Sequence, residues 1–253
     1  MANLLTGKVI IVTGAGGGIG QAAAEYFAAE GAKVVAAGRT EESVVRIASS
    51  ITANGGNCIP IRVDVTAADD CLAMVDLALS SFGRLDGAFN NAGIDGPLVP
   101  AADYPEDAFD EVIAINLKGV WNCMRYEIPA MLKSGGGSIV NNASGLSEVG
   151  QFNMVAYCGA KAGVLGLTRG AALDYGAQGI RVNALSPGVI ETPMMANQME
   201  AYPELRAMLL ARHPIGRLGT PIEMARAAGW MLSDNSTFML GANMSVDGGY
   251  VAL

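Results

Sequence analysis

The chain has 253 residues, 51% of them in the AVILMFWYC set and 16% charged. Disordered chains combine low hydrophobicity with high net charge, so that class is excluded, and about 250 residues suits one α/β unit. The balance of 16 basic against 24 acidic residues, net −8, contains no basic run and so leaves no footprint for nucleic acid.

A membrane span is not expected either. The longest charge-free stretch, Val9 to Ala24, has 16 residues including five glycines, short of the roughly 20 apolar residues of a spanning helix. The N-terminal residues MANLLTGK show no export signal, so the chain is expected in the cytoplasm. Cys58, Cys71, Cys123 and Cys158 have no metal spacing and are expected as buried free thiols, with no metal site.

In chain order, short apolar runs alternate with longer segments of helical spacing. Strands are predicted at Val9–Thr13, Lys33–Ala37, Cys58–Asp64, Gly87–Asn90, Ser138–Asn142, Arg181–Ser186 and Asn243–Val246. Helices are predicted at Ile19–Glu30, Glu41–Ala53, Ala68–Phe82, Glu106–Leu132, Met154–Tyr175 and Pro221–Leu232. Strands apolar on both faces and alternating with helices predict a Rossmann-like, doubly wound parallel sheet of about seven strands, with helices on both faces. Such sheets bind ligands beyond the carboxyl ends of the strands. Functional residues are therefore expected just after each strand.

After the first strand comes Thr13-Gly14-Ala15-Gly16-Gly17-Gly18-Ile19-Gly20. Gly14 suits a tight turn, Gly18 lets backbone approach a pyrophosphate, and Gly20 lets the helix pack close to the sheet. The following helix start offers free N–H groups and a positive dipole end to phosphates. Three residues, not one, separate Gly14 from Gly18. This TGxxxGIG form resembles the short-chain dehydrogenase/reductase family. The resemblance implies dinucleotide contacts from Gly14, Gly16, Gly18, Ile19 and Gly20.

The later strand ends extend it. At the second, Gly38 stands where NAD-preferring members of that family carry Asp, and Arg39 follows. A guanidinium takes a phosphate bidentately, which favours NADP(H), with NAD(H) as the alternative because Gly17 replaces a basic loop residue. Asp64-Val65 after the third strand is implied at the adenine edge, although Asp64 equally suits a helix cap. In Asn90-Asn91-Ala92-Gly93 the resemblance gives Asn91 a cofactor contact and Asn90 a structural role.

Tyr157-Cys158-Gly159-Ala160-Lys161 places Tyr157 and Lys161 on one helix face. A free phenol has a pKa of about 10, and a neighbouring ammonium lowers it toward neutrality. Ser144 lies 13 residues before Tyr157, where its hydroxyl can polarise a carbonyl that Tyr157 protonates. Asn116 interrupts an apolar helix face. The resemblance makes Asn116, Ser144, Tyr157 and Lys161 a catalytic set, with Asn116 holding a water that links Lys161 to solvent. It also places Ile190 and Thr192, after the sixth strand, at the nicotinamide.

The expected architecture is one domain over residues 1–253 with a substrate lid at about 190–215. The pocket walls are predicted at Asp95–Val99, Gly145–Met154 and Met194–His213. Leu98, Leu146, Val149, Phe152, Met154, Met194, Met195 and Met199 would give an apolar, adaptable lining. The substrate set is therefore Ser144, Tyr157, Leu146, Met154 and Met195. His213 is read as structural. The expected reaction interconverts a hydrophobic secondary alcohol, cyclic alcohols included, and its ketone, with the protein as a homotetramer on the resemblance. Two alternatives stand beside it: a 3-ketoacyl-(acyl-carrier-protein) reductase and a dinucleotide-sensing protein without turnover.

Overall fold

The computed structural model describes residues 3–192, 195, 199 and 203–252. Seven strands form one sheet: β1 Val9–Thr13, β2 Lys33–Gly38, β3 Asn57–Arg62, β4 Gly87–Asn90, β5 Gly137–Asn142, β6 Ile180–Pro187 and β7 Asn243–Val246. Their order is β3-β2-β1-β4-β5-β6-β7, and every ladder is parallel. Strand order reverses between β1 and β4, which opens a crevice at their carboxyl ends.

Alternate strand residues face opposite layers. Val9, Ile11, Val35 and Ala37 pack with helices α3 (Ala68–Phe82), α5 (Gly119–Lys133) and α6 (Val155–Tyr175). Ile10, Val12, Val34 and Ala36 pack with α1 (Gly18–Ala29), α2 (Glu41–Ala53) and, near the C-terminus, Pro221–Leu232. Both faces of the sheet are thus covered, which is why these strands read as unbroken apolar runs.

Three differences from the sequence reading have local causes. First, β3 ends at Arg62, two residues early, because Asp64 leaves the ladder: its Oδ1 accepts from Thr66 N at 2.9 Å and Thr66 Oγ1 at 2.7 Å. Second, the single helix expected at Glu106–Leu132 is α4 (Glu106–Ile113), a π turn at Ala114–Lys118, and then α5. Third, helix α7 (Pro203–Ala211) stands within the expected lid, and Pro221–Leu232 is then α8.

One polar group lies sealed between β4, β5 and the helices below them. Glu127 of α5 is fully buried, and its Oε2 accepts from Asn90 Nδ2 at 3.0 Å. Asn90 Nδ2 also reaches Asn141 Oδ1 at 3.1 Å, and Asn141 Nδ2 donates to Thr168 Oγ1 at 3.0 Å. Among the described residues, Glu127 Oε1 and Asn90 Oδ1 have no partner. Burial pushes the Glu127 carboxyl up to about 8.

The cysteines are free thiols. Cys58, Cys71 and Cys123 are buried as expected; Cys158 is partly exposed, because it lies on the outer face of α6. No described helix is long and apolar enough to cross a membrane.

Candidate active site

A cavity of about 540 Å³ lies at the crevice between β1 and β4. Gly14, Gly16, Gly18, Ile19, Arg39, Asp64, Val65, Asn91 and Thr192 line it, so the structure gathers these separate strand ends in one place. Gly14 has φ +66°, and a Cβ on Gly20 would lie 2.1 Å from the Gly14 carbonyl oxygen, so the turn and helix close only with glycine there. A Cβ on Gly18 would press on Thr192 Cγ2 at 3.2 Å. No side chain caps the start of α1, whose first N–H groups are left to a ligand. Bare backbone, a helix start and a cradle that a Cβ would fill suit a pyrophosphate, so these residues fit a dinucleotide.

Arg39 is exposed on the cavity wall. The hydrogen bonds from Thr66 hold Asp64 below the usual carboxylate range, and the Arg39 charge adds to this. Asp64 thus shapes its own turn while facing the cavity.

Asn91 is more committed to the scaffold than the sequence suggests. Its Nδ2 donates to the Thr13 carbonyl at 3.1 Å, and its Oδ1 accepts from Asn142 Nδ2 at 3.0 Å. It therefore joins the ends of β1 and β5 across β4. Ile190 is buried in a bridge to Gly219.

Lys161 is buried, and its Nζ donates to the Asn142 carbonyl at 2.6 Å while lying 5.7 Å from the Tyr157 ring centroid. The Ser144 hydroxyl lies near enough to Tyr157 to pull its phenol downward. Ser144 Oγ also accepts from Leu146 N at 3.1 Å, which leaves its proton free to donate. Asn116 sits in the π turn, where its Oδ1 accepts from Ile94 N at 2.8 Å and its Nδ2 donates to the Ile94 carbonyl at 2.7 Å. One N–H and one lone pair of that amide remain for a relay.

The electrostatics correct one expectation. Lys161 was expected to lower the Tyr157 phenol. In the protein itself burial raises it, the Asp95 charge raises it further, and the Ser144 hydroxyl opposes them. Burial also holds the Lys161 ammonium down to about 8, against the pull of Asp95. An ammonium that gives up its proton at about 8 is already neutral at the pH where a phenol raised above 10 ionises, so it no longer draws that phenol down. The sequence reading names Asp95 only as the edge of a pocket wall and gives its charge no role. The signal available was an acid one position past Asn90–Ile94, inside a predicted pocket wall.

The predicted walls meet in part. Val99 N donates to the Asn153 carbonyl at 3.1 Å, joining the first wall to the second. Leu98 and Phe152 are exposed, and Met154 is partly buried at the start of α6. Leu146 lines a different cleft from the dinucleotide cavity, along the face of α6 formed by Val155, Cys158, Gly159 and Ala162, which turns away from Tyr157 and Lys161. Met195 donates its N–H to Thr192 Oγ1 at 3.3 Å. Met194 lies outside the described residues, as do residues 193, 196–198 and 200–202 of the expected lid.

At the far end of that segment His213 is buried. Its Nδ1 lies 2.6 Å from the Leu209 carbonyl and its Nε2 accepts from Val189 N at 3.1 Å. Both ring nitrogens are spent on backbone, in keeping with the structural role expected of it.

A family model described as enoyl-(acyl carrier protein) reductase matches residues 14–251. A 2,5-dichloro-2,5-cyclohexadiene-1,4-diol dehydrogenase of Sphingobium indicum is 44% identical over 250 residues, 98% of this chain and 99% of that one. The chain belongs to the short-chain dehydrogenase/reductase family. A cyclohexanol dehydrogenase of Acinetobacter sp. is 40% identical over all of this chain and 98% of its own length. A solved structure from Beutenbergia cavernae, provisionally described as an NAD(P) dependent gluconate 5-dehydrogenase with NADP at low occupancy, superposes with a TM-score of 0.93. It is 37% identical over the whole of both chains.

Proposed function

We propose that the protein interconverts a hydrophobic cyclic secondary alcohol and its ketone, with NADP(H) favoured over NAD(H). The observation that carries this reading is the buried Lys161 ammonium, tied to the end of β5 and 5.7 Å from the Tyr157 ring centroid, beside the glycine-lined crevice. The dehydrogenases of cyclohexanol and of a cyclic diol among its relatives support the cyclic alcohol. Arg39 on the cavity wall supports the 2′-phosphate of NADP.

In this scheme Gly14, Gly16, Gly18 and Ile19 hold the pyrophosphate while Gly20 packs the helix onto their loop, Asp64 and Val65 meet the adenine, and Asn91 and Thr192 border the ribose and nicotinamide, with Ile190 offering only its backbone. When bound, the cofactor supplies the hydride and, in its oxidised form, a positive charge. Tyr157 gives its phenolic proton to the carbonyl oxygen in reduction and takes it back in oxidation. Ser144 donates to the same oxygen. The raised phenol stays protonated until a carbonyl oxygen is in place to take its proton, and the positive charge of the oxidised cofactor would favour the phenolate. Lys161, held to the end of β5, keeps a positive charge below that phenol. Asn116 fixes the Ile94 backbone and offers its remaining N–H to a proton relay. Met154 and Met195 border the substrate in this scheme, and Leu146, in the separate cleft along α6, does not.

The chain is further read as a single catalytic domain, with residues 190–215 as its lid, assembling as a homotetramer in the cytoplasm. Free thiols support a reducing compartment. Exposed Phe109, Trp121 and Leu173 on neighbouring helices support association of copies, which light scattering measures. The deciding experiment follows absorbance at the reduced-cofactor band with NADPH and NADH against cyclic ketones. Reduction of none of them overturns the reading, and a KM for NADH tenfold or more below that for NADPH, about 1.4 kcal/mol, overturns the cofactor preference.

A further inference from the structure

The loop after β4 carries a charge that the scheme above leaves without a task. Asp95 follows Ile94, whose N–H and carbonyl are both pinned by the Asn116 amide. On the near side, a Cβ on Gly93 would meet Asn116 Oδ1 at 3.0 Å and Lys161 Nζ at 3.6 Å, so the chain runs directly against both side chains. On the far side, Gly96 turns the chain at φ +74°, and a Cβ there would strike Tyr104 Oη at 2.5 Å. Val99 then ties the loop to Asn153, just ahead of α6. Asp95 is therefore held between fixed points, two residues from the Gly93 backbone that runs against Lys161.

Its carboxyl is partly buried, and its charge acts on both Tyr157 and Lys161. Burial raises its own pKa, and the Lys161 ammonium pulls it back. A carboxylate accepts hydrogen bonds and donates none. A substrate hydroxyl can satisfy it. A substrate carboxylate meets like charge in a partly desolvated site, and a substrate ammonium would meet the charge of Lys161 behind it.

We propose that Asp95 selects the substrate: it accepts a hydrogen bond from a second hydroxyl on a cyclic alcohol and turns away cyclic alcohols that carry a carboxylate. This rests on the reaction proposed above, and it adds to that reaction the kind of ring that is preferred. The group acts by specificity, since a site built to bond a hydroxyl rejects the analogue that leaves its polar group unpaired.

The test compares kcat/KM for 1,4-cyclohexanediol, cyclohexanol and 4-hydroxycyclohexanecarboxylate, using wild type, Asp95→Asn and Asp95→Ala with saturating oxidised cofactor. Ratios between probes are read, because the Asp95 charge also reaches Tyr157 and alters all three rates together. Wild type is expected to prefer the diol over cyclohexanol by about tenfold and to use the carboxylate least. Asp95→Asn keeps an acceptor and loses the charge, so the carboxylate gains about tenfold relative to cyclohexanol. Asp95→Ala loses both, so the diol preference also falls by about tenfold.

Ratios within twofold of wild type in active variants overturn the proposal and leave the reaction standing. A wild type that uses the carboxylate as well as the diol overturns it too. Turnover of none of the three by wild type overturns the reaction and this proposal with it. If the variants bind cofactor without turnover, dissociation constants of the diol and the carboxylate, read from fluorescence of bound NADPH, must show the same changes in ratio; unchanged ratios reject the proposal.

Discussion

Lys161 and Glu127 are both buried, and the same physics moves them in opposite directions to the same place. Burial penalises the charged form of each, so the ammonium falls to about 8 and the carboxyl rises to about 8. Their surroundings differ. Lys161 lies at the carboxyl end of β5, beside Tyr157 and the ligand crevice. Glu127 lies under the sheet, paired with Asn90 and shut away from solvent. The comparison teaches that a displaced pKa is not in itself a mark of chemistry; access to a reacting group decides that.

The two regions also give stability opposite slopes with pH. Folded Glu127 keeps a proton that the unfolded chain releases near its ordinary value of 4.5, so its contribution is fully present below 4.5 and is lost as pH rises through about 8. Folded Lys161 releases a proton that the unfolded chain keeps up to 10.5, so its cost is present at neutral pH and is relieved between about 8 and 10.5.

The strongest way to break the comparison is Tyr157→Phe. It should lower kcat by about a thousandfold while the dissociation constant for NADPH, read by fluorescence titration, stays within about threefold. Near wild-type turnover would remove the reactive region from the contrast altogether. Next comes Glu127→Gln, whose amide can bond Asn90 without titrating. Denaturant melts of wild type should lose about 3 kcal/mol of stability relative to this variant between pH 6 and pH 8, and parallel curves would mean that Glu127 is already ionised. Lys161→Met should cut turnover and yet stabilise the fold by about 2 kcal/mol at pH 7, an advantage that fades by pH 10. A destabilised Met variant would show that the hydrogen bond to Asn142 outweighs the burial of charge. The smallest effect expected is that of Arg39→Ala, which should raise KM for NADPH by about tenfold, or about 1.4 kcal/mol, and leave NADH almost unchanged. Equal losses for both would move Arg39 from phosphate recognition to general packing.

Legibility in the sequence followed the range of each interaction. The bounds of β1, β4, β7, α2, α3 and α8 agree with the expected segments, because period and turn residues are local signals. The glycine loop and the Tyr157–Lys161 spacing were readable for the same reason. Helix α7 was missed although Pro203 and Glu204 mark its first turn, because the segment was read as a lid. Glu127 was missed because its partner Asn90 is 37 residues away. A trace did exist: an acid in the buried stripe of Cys123, Met124, Ile128 and Met131. The depressed Lys161 and raised Tyr157 were out of reach, since both follow from desolvation, which depends on the completed fold.

The π turn at Ala114–Lys118 has a consequence for how this molecule can be altered. A wider turn accommodates one surplus residue, so the helices on either side keep their own angular phase. Val112 before it and Val120 after it remain seated in their separate cores. Deleting a single residue there would be nearly silent to both neighbours, yet it would withdraw Asn116 from Ile94 and set the adjoining loop adrift. The stutter in the helix is thus a graft site, where a hydrogen-bonding side chain is inserted without recutting the architecture that surrounds it.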